Sequence, residues 1–324
     1  MNLLEKYSWL LMIMAIFLGI FLGRFDYIAE GASHFIMPFL MVMLFGVFLQ
    51  TPFGSLKAGF KNVKVAGLSF LINFVWTPFL AFFLSFLFFR ESPDVFVALI
   101  MDMVTPCTDW YLVFTGIAGG SLAFSTALLP WNLLLQLILM PVYLFIFAGT
   151  VVDIEPYIFL QSFLRVLLVP FLVAVIVRNV VVYKKGEEWF GENILDRIGA
   201  FQALFLILAV AAIFASQGVI LLENINLVLR LVIPVLLFFI INFSLGQLVG
   251  RLFSLSYREA ASLIITILAR NAPLALTIAV AAFPDRPLIP LVLAVESLIE
   301  LPLLFVFSQL MLLIYYKKWW PNQD

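Results

Sequence analysis

Two stretches of sequence decide the fold of this chain: TPCTDW at residues 105–110 and ARNAP at residues 269–273. Each places proline and polar residues inside a segment that is otherwise long and apolar enough to cross a bilayer. In hydrocarbon every backbone N–H and C=O needs a partner, so a helix interrupted at membrane depth persists only where the break is buried in protein or lines a water-filled cavity. The two stretches therefore predict two interrupted membrane helices whose breaks line a buried site.

Composition places the chain among membrane proteins. Of its 324 residues, 65% are hydrophobic and 11% are charged, and the mean hydropathy is +1.15. A soluble domain carries about 25% charged residues. The net charge of −1 gives no support for a nucleic-acid partner, and the single cysteine excludes an internal disulfide. We expect an all-α polytopic protein, with one transmembrane domain over residues 1–324 and membrane lipid around it.

Ten apolar spans follow from the pattern of long hydrophobic runs. They cover about residues 8–23, 33–51, 65–89, 94–117, 121–148, 157–182, 196–216, 227–253, 259–283 and 287–315. Connections on one side of the membrane carry 12 Lys and Arg residues, and those on the other side carry four. Because cytoplasmic loops are rich in Lys and Arg, this bias predicts an integral protein of the cell (inner) membrane with both termini cytoplasmic.

The two halves of the chain resemble each other. An offset of 164 positions places Cys107 on Asn271, Asn132 on Glu296, and Gln136 on Glu300. Five spans per half is an odd number, so the second half enters the membrane with the opposite orientation. We therefore expect a 5+5 inverted-topology repeat, with repeats at about residues 1–150 and 151–324 and with the fourth and ninth helices broken and crossing. A pair of interrupted helices of this kind marks the substrate site of secondary transporters.

Two polar pairs in the fifth and tenth spans are candidates for ion coupling. Asn132 and Gln136 are spaced i, i+4, as are Glu296 and Glu300, so each pair shares one helical face. A carboxylate in a low-dielectric cavity is able to load and release a proton near neutral pH. It is equally able to bind Na⁺ together with exposed carbonyls at a helix break. The alternative is that one of the two glutamates caps backbone groups freed by Pro302.

The residues of the two breaks are the candidates for substrate binding: Cys107, Thr108, Asp109, Arg270 and Asn271. An ion pair between Asp109 and Arg270 would either clamp the crossing or meet the substrate, because pairing lowers the cost of burying both charges. A buried cysteine is usually an inert small hydrophobe. At a helix N-terminus, however, Cys107 would favour the thiolate, a soft ligand for a metalloid such as arsenite. Asn73 and Asn242 are expected to bridge packed helices.

Four motifs carry a family resemblance: NFVWTPFLA at residues 73–81, TPCT at 105–108, WNLLLQ at 131–136 and LIELP at 298–302. They resemble the arsenical-resistance permeases of the bile acid/arsenite/riboflavin transporter superfamily, which also contains the sodium–bile acid symporters. The resemblance implies a ten-helix inverted repeat, whose fourth and ninth helices unwind and cross between a core and a panel domain. It also implies arsenite efflux through the Cys of the Pro-Cys-Thr motif and the Glu of the Glu-x-Pro motif, which match Cys107 and Glu300.

The breaks depart from the pattern of these permeases. Asp109 stands where they carry a small or apolar residue, and RNAPL at residues 270–274 replaces their Asn-rich break. An Arg–Asp pair there would shift substrate preference or replace a sodium site by a fixed charge.

Three functions remain open from the sequence. The first is secondary active, proton-coupled efflux (antiport) of arsenite or a related metalloid. The second is sodium-coupled symport of a bile-acid-like or other organic anion, whose carboxylate would meet Arg270. The third, a receptor or scaffold, is disfavoured because the chain has no sizeable soluble module. Without an ATP-binding motif we expect a carrier and not an enzyme, with transported H⁺ or Na⁺ in place of a bound cofactor. The sequence leaves open whether a partner ATPase energises export.

Overall fold

The computed structural model describes residues 8–52, 63–108, 110–150, 152, 155–223 and 225–321. Within these residues the regular structure is helical, and the only β feature is a single antiparallel bridge between Pro106 and Arg270. Seven of the described helices are long and apolar enough to cross a membrane. The predicted class, an all-α membrane protein, is confirmed.

We number the main helices in chain order. They are α1 (Ser8–Leu22), α2 (Asp26–Gln50), α3 (Val63–Phe89), α4 (Pro93–Met103), α5 (Trp110–Ile117), α6 (Leu122–Phe147), α7 (Pro156–Lys185), α8 (Asp196–Glu223), α9 (Ile225–Leu252), α10 (Tyr257–Leu268), α11 (Ala272–Ala282) and α12 (Leu288–Tyr316). A π-helical turn lies within α3 at Ile72–Trp76, and a 3₁₀ turn at Ala148–Thr150 follows α6. A short helix at Glu187–Phe190 and a π-helical turn at Gly191–Leu195 lead into α8.

The helix bounds follow the predicted spans with two clear differences, at the start of α2 and at the end of α8, which runs to Glu223 and not to the predicted residue 216. Helix α2 begins at Asp26, whereas the second span was predicted to begin at residue 33. The added turns contain Asp26 and Glu30, which hydropathy excludes from a span. An acidic residue in the first helical turn is nevertheless favourable, because it faces the positive end of the helix dipole. The predicted span is therefore the apolar part of a longer helix.

Both predicted interruptions are present, and their prolines explain them. Helix α4 ends at Met103, three residues before Pro106, which cannot donate a hydrogen bond and disfavours a helical residue before it. The Thr105 hydroxyl closes the last turn by donating to the carbonyls of Met101 at 3.0 Å and Asp102 at 2.8 Å. On the other side, Ala269 is extended, and Pro273 lies in the first turn of α11, where its missing N–H costs nothing.

The described chain divides into two compact units, each built from both halves of the sequence. Unit 1 contains residues 1–51, 155–228 and 273–298. In it α1 and α2 pack against α8, and α2 also packs against α7. The α1–α8 contact requires glycine, because a Cβ on Gly19 would lie 2.7 Å from the Ala211 carbonyl oxygen. Small residues of this kind let membrane helices approach closely.

Unit 2 contains residues 52–154, 229–272 and 299–324, and with them the described part of the first break and residues 269–272 of the second. Helix α10 is its centre and packs against α3, α5 and α6. A capping box formed by Ser256 and Glu259 begins this helix. Helix α9 lies close beside α10. This approach requires glycine at position 246, since a Cβ there would lie 2.5 Å from Ile264 Cγ1. This packing fixes the carboxyl end of α10, where the second break begins.

Candidate functional site

The two breaks lie side by side as a short antiparallel pair. The Cys107 N–H donates to the Ala269 carbonyl at 3.0 Å, and the Asn271 N–H donates to the Thr105 carbonyl at 2.7 Å. These two bonds flank the bridge between Pro106 and Arg270. Backbone groups released by the interrupted helices therefore bond to each other, as burial in a membrane requires.

A polar cluster forms where the first break faces α6. Cys107 and Thr108 are buried, with 3% and 1% of their surface exposed. The Asn271 amide donates to Thr108 Oγ1 at 3.2 Å and to Gln136 Oε1 at 3.5 Å. The structure thus brings four of the predicted site residues together within unit 2, although the sequence separates Gln136 from Asn271 by 135 positions.

Helix α6 also presents amide atoms without protein partners. Asn132 is fully buried, and neither its Nδ2 nor its Oδ1 has a hydrogen-bond partner among the described residues. The same holds for Gln136 Nε2. An unsatisfied buried polar group costs about 1–3 kcal/mol. The cost is recovered if these amides bind a polar ligand or ion, so this face of α6 is suited to a binding site.

Glu300 on α12 joins the site through the backbone of the second break. Its side chain is 6% exposed, and its Oε1 accepts a hydrogen bond from the Arg270 N–H at 2.6 Å. Bonds from N–H groups to carboxylates are stronger than neutral ones. Glu300 therefore caps a backbone donor, but that donor belongs to the break in the ninth span and not to the turn before Pro302. Glu296, one turn earlier on α12, is also buried and falls in unit 1.

The Arg270 guanidinium binds the carboxyl ends of two helices. It is 3% exposed and lies over the Phe238 ring, with 5.3 Å between Cζ and the ring centroid. Its hydrogen bonds go to main-chain carbonyls and one amide oxygen: Met103 O at 3.0 Å, Thr266 O at 3.3 Å, Ile267 O at 2.7 Å, Leu268 O at 3.4 Å and Asn73 Oδ1 at 2.9 Å. The side chain thus turns back from the break and joins the end of α4 to the end of α10.

Asp109 lies outside the described residues, so its ion pair with Arg270 stays a prediction. Asp102, on the last turn of α4, is buried, and its Oδ1 has no hydrogen-bond partner in the part of the chain that the structure describes. Of the two asparagines predicted to bridge helices, Asn242 accepts a hydrogen bond from Trp76 Nε1 at 3.1 Å. Asn73 bridges to Arg270, which makes it a member of the site.

Sequence reasoning missed the role of Asn73, although one signal for it exists. Pro78 cannot donate to the carbonyl of Phe74, and the Tyr143 hydroxyl bonds to that carbonyl at 2.6 Å instead. The helix widens here into the π-helical turn that contains Asn73. Such π-bulges are frequent at functional sites. An asparagine shortly before a proline in an apolar span is therefore a sign of a site residue.

Comparison with known proteins shows the family of this chain. Residues 37–224, more than half of the chain, match the Sodium Bile acid symporter family. The chain belongs to this family. The Sodium Bile acid symporter family consists of transporters, so the chain is an integral membrane secondary transporter and not an enzyme.

Individual relatives show that the chain is similar to arsenical-resistance proteins. It is 25% identical to the arsenical-resistance protein Acr3 of Corynebacterium glutamicum, over 94% of this chain and 87% of that protein. It is 24% identical to the Acr3 protein of Alkaliphilus metalliredigens, over 69% of this chain and 66% of that protein. An uncharacterized transporter of Synechocystis sp. is 23% identical, over 96% of this chain and 88% of that protein. The predicted resemblance to arsenical-resistance permeases is confirmed.

Proposed function

We propose that this chain exports arsenite or a related metalloid across the cell (inner) membrane, in exchange for protons, with both termini in the cytoplasm. The observation that carries the proposal is the position of Cys107. The only thiol of the chain is buried in the first break, next to Thr108, whose hydroxyl is linked through Asn271 to Gln136 on α6. No other side chain type present offers a ligand as soft.

Soft ligands select soft acceptors, and trivalent arsenic prefers sulfur to oxygen. One thiol gives a single As–S contact, which suits a carrier that must release its cargo on the other side. Hydroxyl and amide groups beside it match the oxygens of the metalloid, since Thr108, Asn271 and Gln136 already form one hydrogen-bonded chain. The unpartnered Asn132 amide, one turn from Gln136, is available to the same ligand.

Proton coupling is assigned to Glu300. Its carboxylate accepts a hydrogen bond from the backbone of the second break, so protonation removes the charge that strengthens this bond. Loading a proton would therefore loosen the attachment of α12 to the crossing. Glu296 and the Asn132/Gln136 face are proposed to accompany it as ion-coupling groups. This gives the proton a direct effect on the segment that carries the substrate ligands.

The ten-helix inverted repeat is part of the same proposal. The offset of 164 positions that aligns the two halves also relates the partners of the bridge: Pro106 corresponds to Arg270, and the two flanking hydrogen bonds exchange places. A two-fold relation between the halves would produce this pattern. The first two predicted spans of both halves fall in unit 1, which supports a panel of equivalent helices. Repeats related in this way rock about a shared midplane site in secondary transporters.

Sodium-coupled symport of an organic anion is the second candidate, and the family match favours it. It requires the Arg270 guanidinium to meet a carboxylate of the substrate. In the structure that group is buried and donates to helix-end carbonyls and to Asn73. Because these hydrogen bonds already occupy the guanidinium, a metalloid is better supported as the substrate than an organic anion.

Arsenite uptake into everted membrane vesicles tests the proposal. Because Cys107 is the only cysteine, Cys107→Ser produces a cysteine-free protein that differs by one atom. We expect wild type to accumulate arsenite when the vesicle interior is acidic and Cys107→Ser to lose at least about tenfold in uptake, equivalent to about 1.4 kcal/mol. Ser85→Ala, another buried substitution in unit 2, controls for expression and folding. Unchanged uptake by Cys107→Ser would refute the thiol mechanism. Sodium-dependent uptake of a bile acid without arsenite transport would establish the symporter instead.

A further inference from the structure

We propose that the Arg270 guanidinium is a resident cation that takes the place of a bound sodium ion at the ends of α4 and α10, so that transport by this chain does not depend on Na⁺. The inference rests on the proposed function only in assuming that the breaks are the transport site. It concerns the ion that this site holds, and it names Arg270 as the residue that determines coupling-ion specificity.

The ends of these two helices form a site for a cation. The last carbonyls of a helix have no partner within it and carry the negative end of the helix dipole. In secondary transporters such carbonyls, at the C-terminal ends of half-helices, coordinate the coupling ion. Here the carbonyls of Met103 and of residues 266–268 surround one guanidinium and accept its hydrogen bonds, and Asn73 Oδ1 adds a further oxygen. Such a set of oxygens suits a hard alkali cation.

In this chain the Arg270 guanidinium occupies that site. A guanidinium keeps its charge under all physiological conditions and only donates hydrogen bonds, so it satisfies the carbonyls as a metal ion would. The Phe238 ring lies across it, which adds a cation–π contact in a desolvated place. Because the charge is covalently attached to the break, it cannot leave with the substrate. The positive charge at this point is therefore constant through the transport cycle.

A carboxylate lies beside this fixed charge. Glu300 Oε1 accepts a hydrogen bond from the Arg270 backbone N–H at 2.6 Å. A sodium ion entering beside the guanidinium would meet like-charge repulsion at short range in a medium of low dielectric constant. Occupation by Arg270 therefore excludes Na⁺ from the same carbonyls.

A purely mechanical role for Arg270, as a staple between α4 and α10, makes a different prediction. Loss of a staple destabilises the protein equally in every salt. Loss of a resident cation leaves oxygen ligands that Na⁺ is able to fill, so the destabilisation should be reversed by Na⁺ specifically, since a ligand that binds only the folded state raises stability.

Thermal unfolding of purified protein in detergent separates the two roles and needs no substrate. Apparent Tm is measured in NaCl, KCl and choline chloride at equal ionic strength. We expect wild type to show the same Tm in all three salts. Arg270→Met should unfold at a lower temperature in choline chloride and recover on the order of 3 °C or more in NaCl.

Two further variants provide the controls. Arg270→Lys keeps a charge at the site and should show no response to Na⁺. Arg230→Met removes an exposed arginine that also donates to a helix-end carbonyl, Phe88 O, and lies over a ring, that of Phe89. It too should show no response to Na⁺.

The proposal is overturned if wild type is stabilised by NaCl over choline chloride, or if neither Arg270→Met nor Arg270→Gln gains Tm or folded yield in NaCl. A chain that transports no arsenite would refute the proposed function but leave this result unaffected. Wild type stabilised by Na⁺ would overturn this inference while leaving metalloid transport intact.

Discussion

Glu300 Oε1 and the backbone N–H of Arg270 are joined by a hydrogen bond of 2.6 Å that ties α12 to the break between α10 and α11. The bond links the carboxylate proposed to carry the proton to the segment that pairs with Cys107. Because the donor is a backbone group, a substitution at position 270 leaves it in place. The side chains of Glu300 and Arg270 are thus open to independent tests.

Replacing Glu300 by Gln keeps an acceptor oxygen for the Arg270 N–H but removes the exchangeable proton. We expect Glu300→Gln to lose uptake driven by a pH gradient while it retains exchange of arsenite across vesicles at equal pH. Flux of radiolabelled arsenite under both conditions checks this. A variant that still concentrates arsenite against its gradient would place the proton elsewhere.

Replacing Glu300 by Ala has a structural effect as well. It leaves the Arg270 N–H buried without its acceptor, which costs about 1–3 kcal/mol. The free energy of unfolding, measured by denaturant titration in detergent, should fall by that amount for Glu300→Ala and by less for Glu300→Gln. Equal losses for the two variants would show that the hydrogen bond contributes little.

Replacing Asn132, whose amide has no partner among the described residues, should affect stability and transport in opposite directions. Leucine has nearly the same size and leaves no polar atom unsatisfied, so Asn132→Leu should keep or raise Tm while transport is lost. Asn242→Leu is the comparison. The Asn242 Oδ1 accepts a hydrogen bond from Trp76, while its Nδ2, like that of Asn132, has no partner among the described residues, so loss of the Trp76 bond should lower stability by about 0.5–1.5 kcal/mol. A large drop in Tm for Asn132→Leu would mean that Asn132 holds the fold together.

Two glycines in unit 2 test the packing that positions the second break. A Cβ at Gly246 would lie 2.5 Å from Ile264 Cγ1, whereas a Cβ at Gly67 would meet no atom within 4 Å. Gly246→Ala should push α9 from α10 and cost about 1–3 kcal/mol, as overpacking does. Gly67→Ala should instead be neutral or stabilise by up to about 1 kcal/mol, because alanine favours a helix. Similar Tm values for the two variants would contradict the close approach of α9 and α10.

The positions of the breaks were predictable because proline and polar residues inside an apolar run interrupt a membrane helix. The two breaks were predicted to cross, and in the structure their backbones lie side by side, with the Cys107 N–H bonded to Ala269 and the Asn271 N–H bonded to Thr105. Local sequence therefore determines where the two helices are interrupted.

The surroundings of Arg270 were not predictable from sequence, because most of its partners are backbone carbonyls, which no side-chain pattern reveals. Its side-chain partner Asn73 is 197 positions away. The predicted partner was instead Asp109, chosen because opposite charges at the two breaks suggested a pair. A helix end also offers acceptors to a buried guanidinium, and hydropathy does not show whether a helix end or a carboxylate lies nearby.

The most direct test of the central claim is uptake of arsenite into sodium-free proteoliposomes whose interior is more acidic than the medium. We predict uptake that collapses when a protonophore dissipates the gradient and that is unchanged when NaCl replaces choline chloride. Uptake that requires Na⁺, or that persists without the pH gradient, would contradict proton-coupled transport around a fixed cation at Arg270.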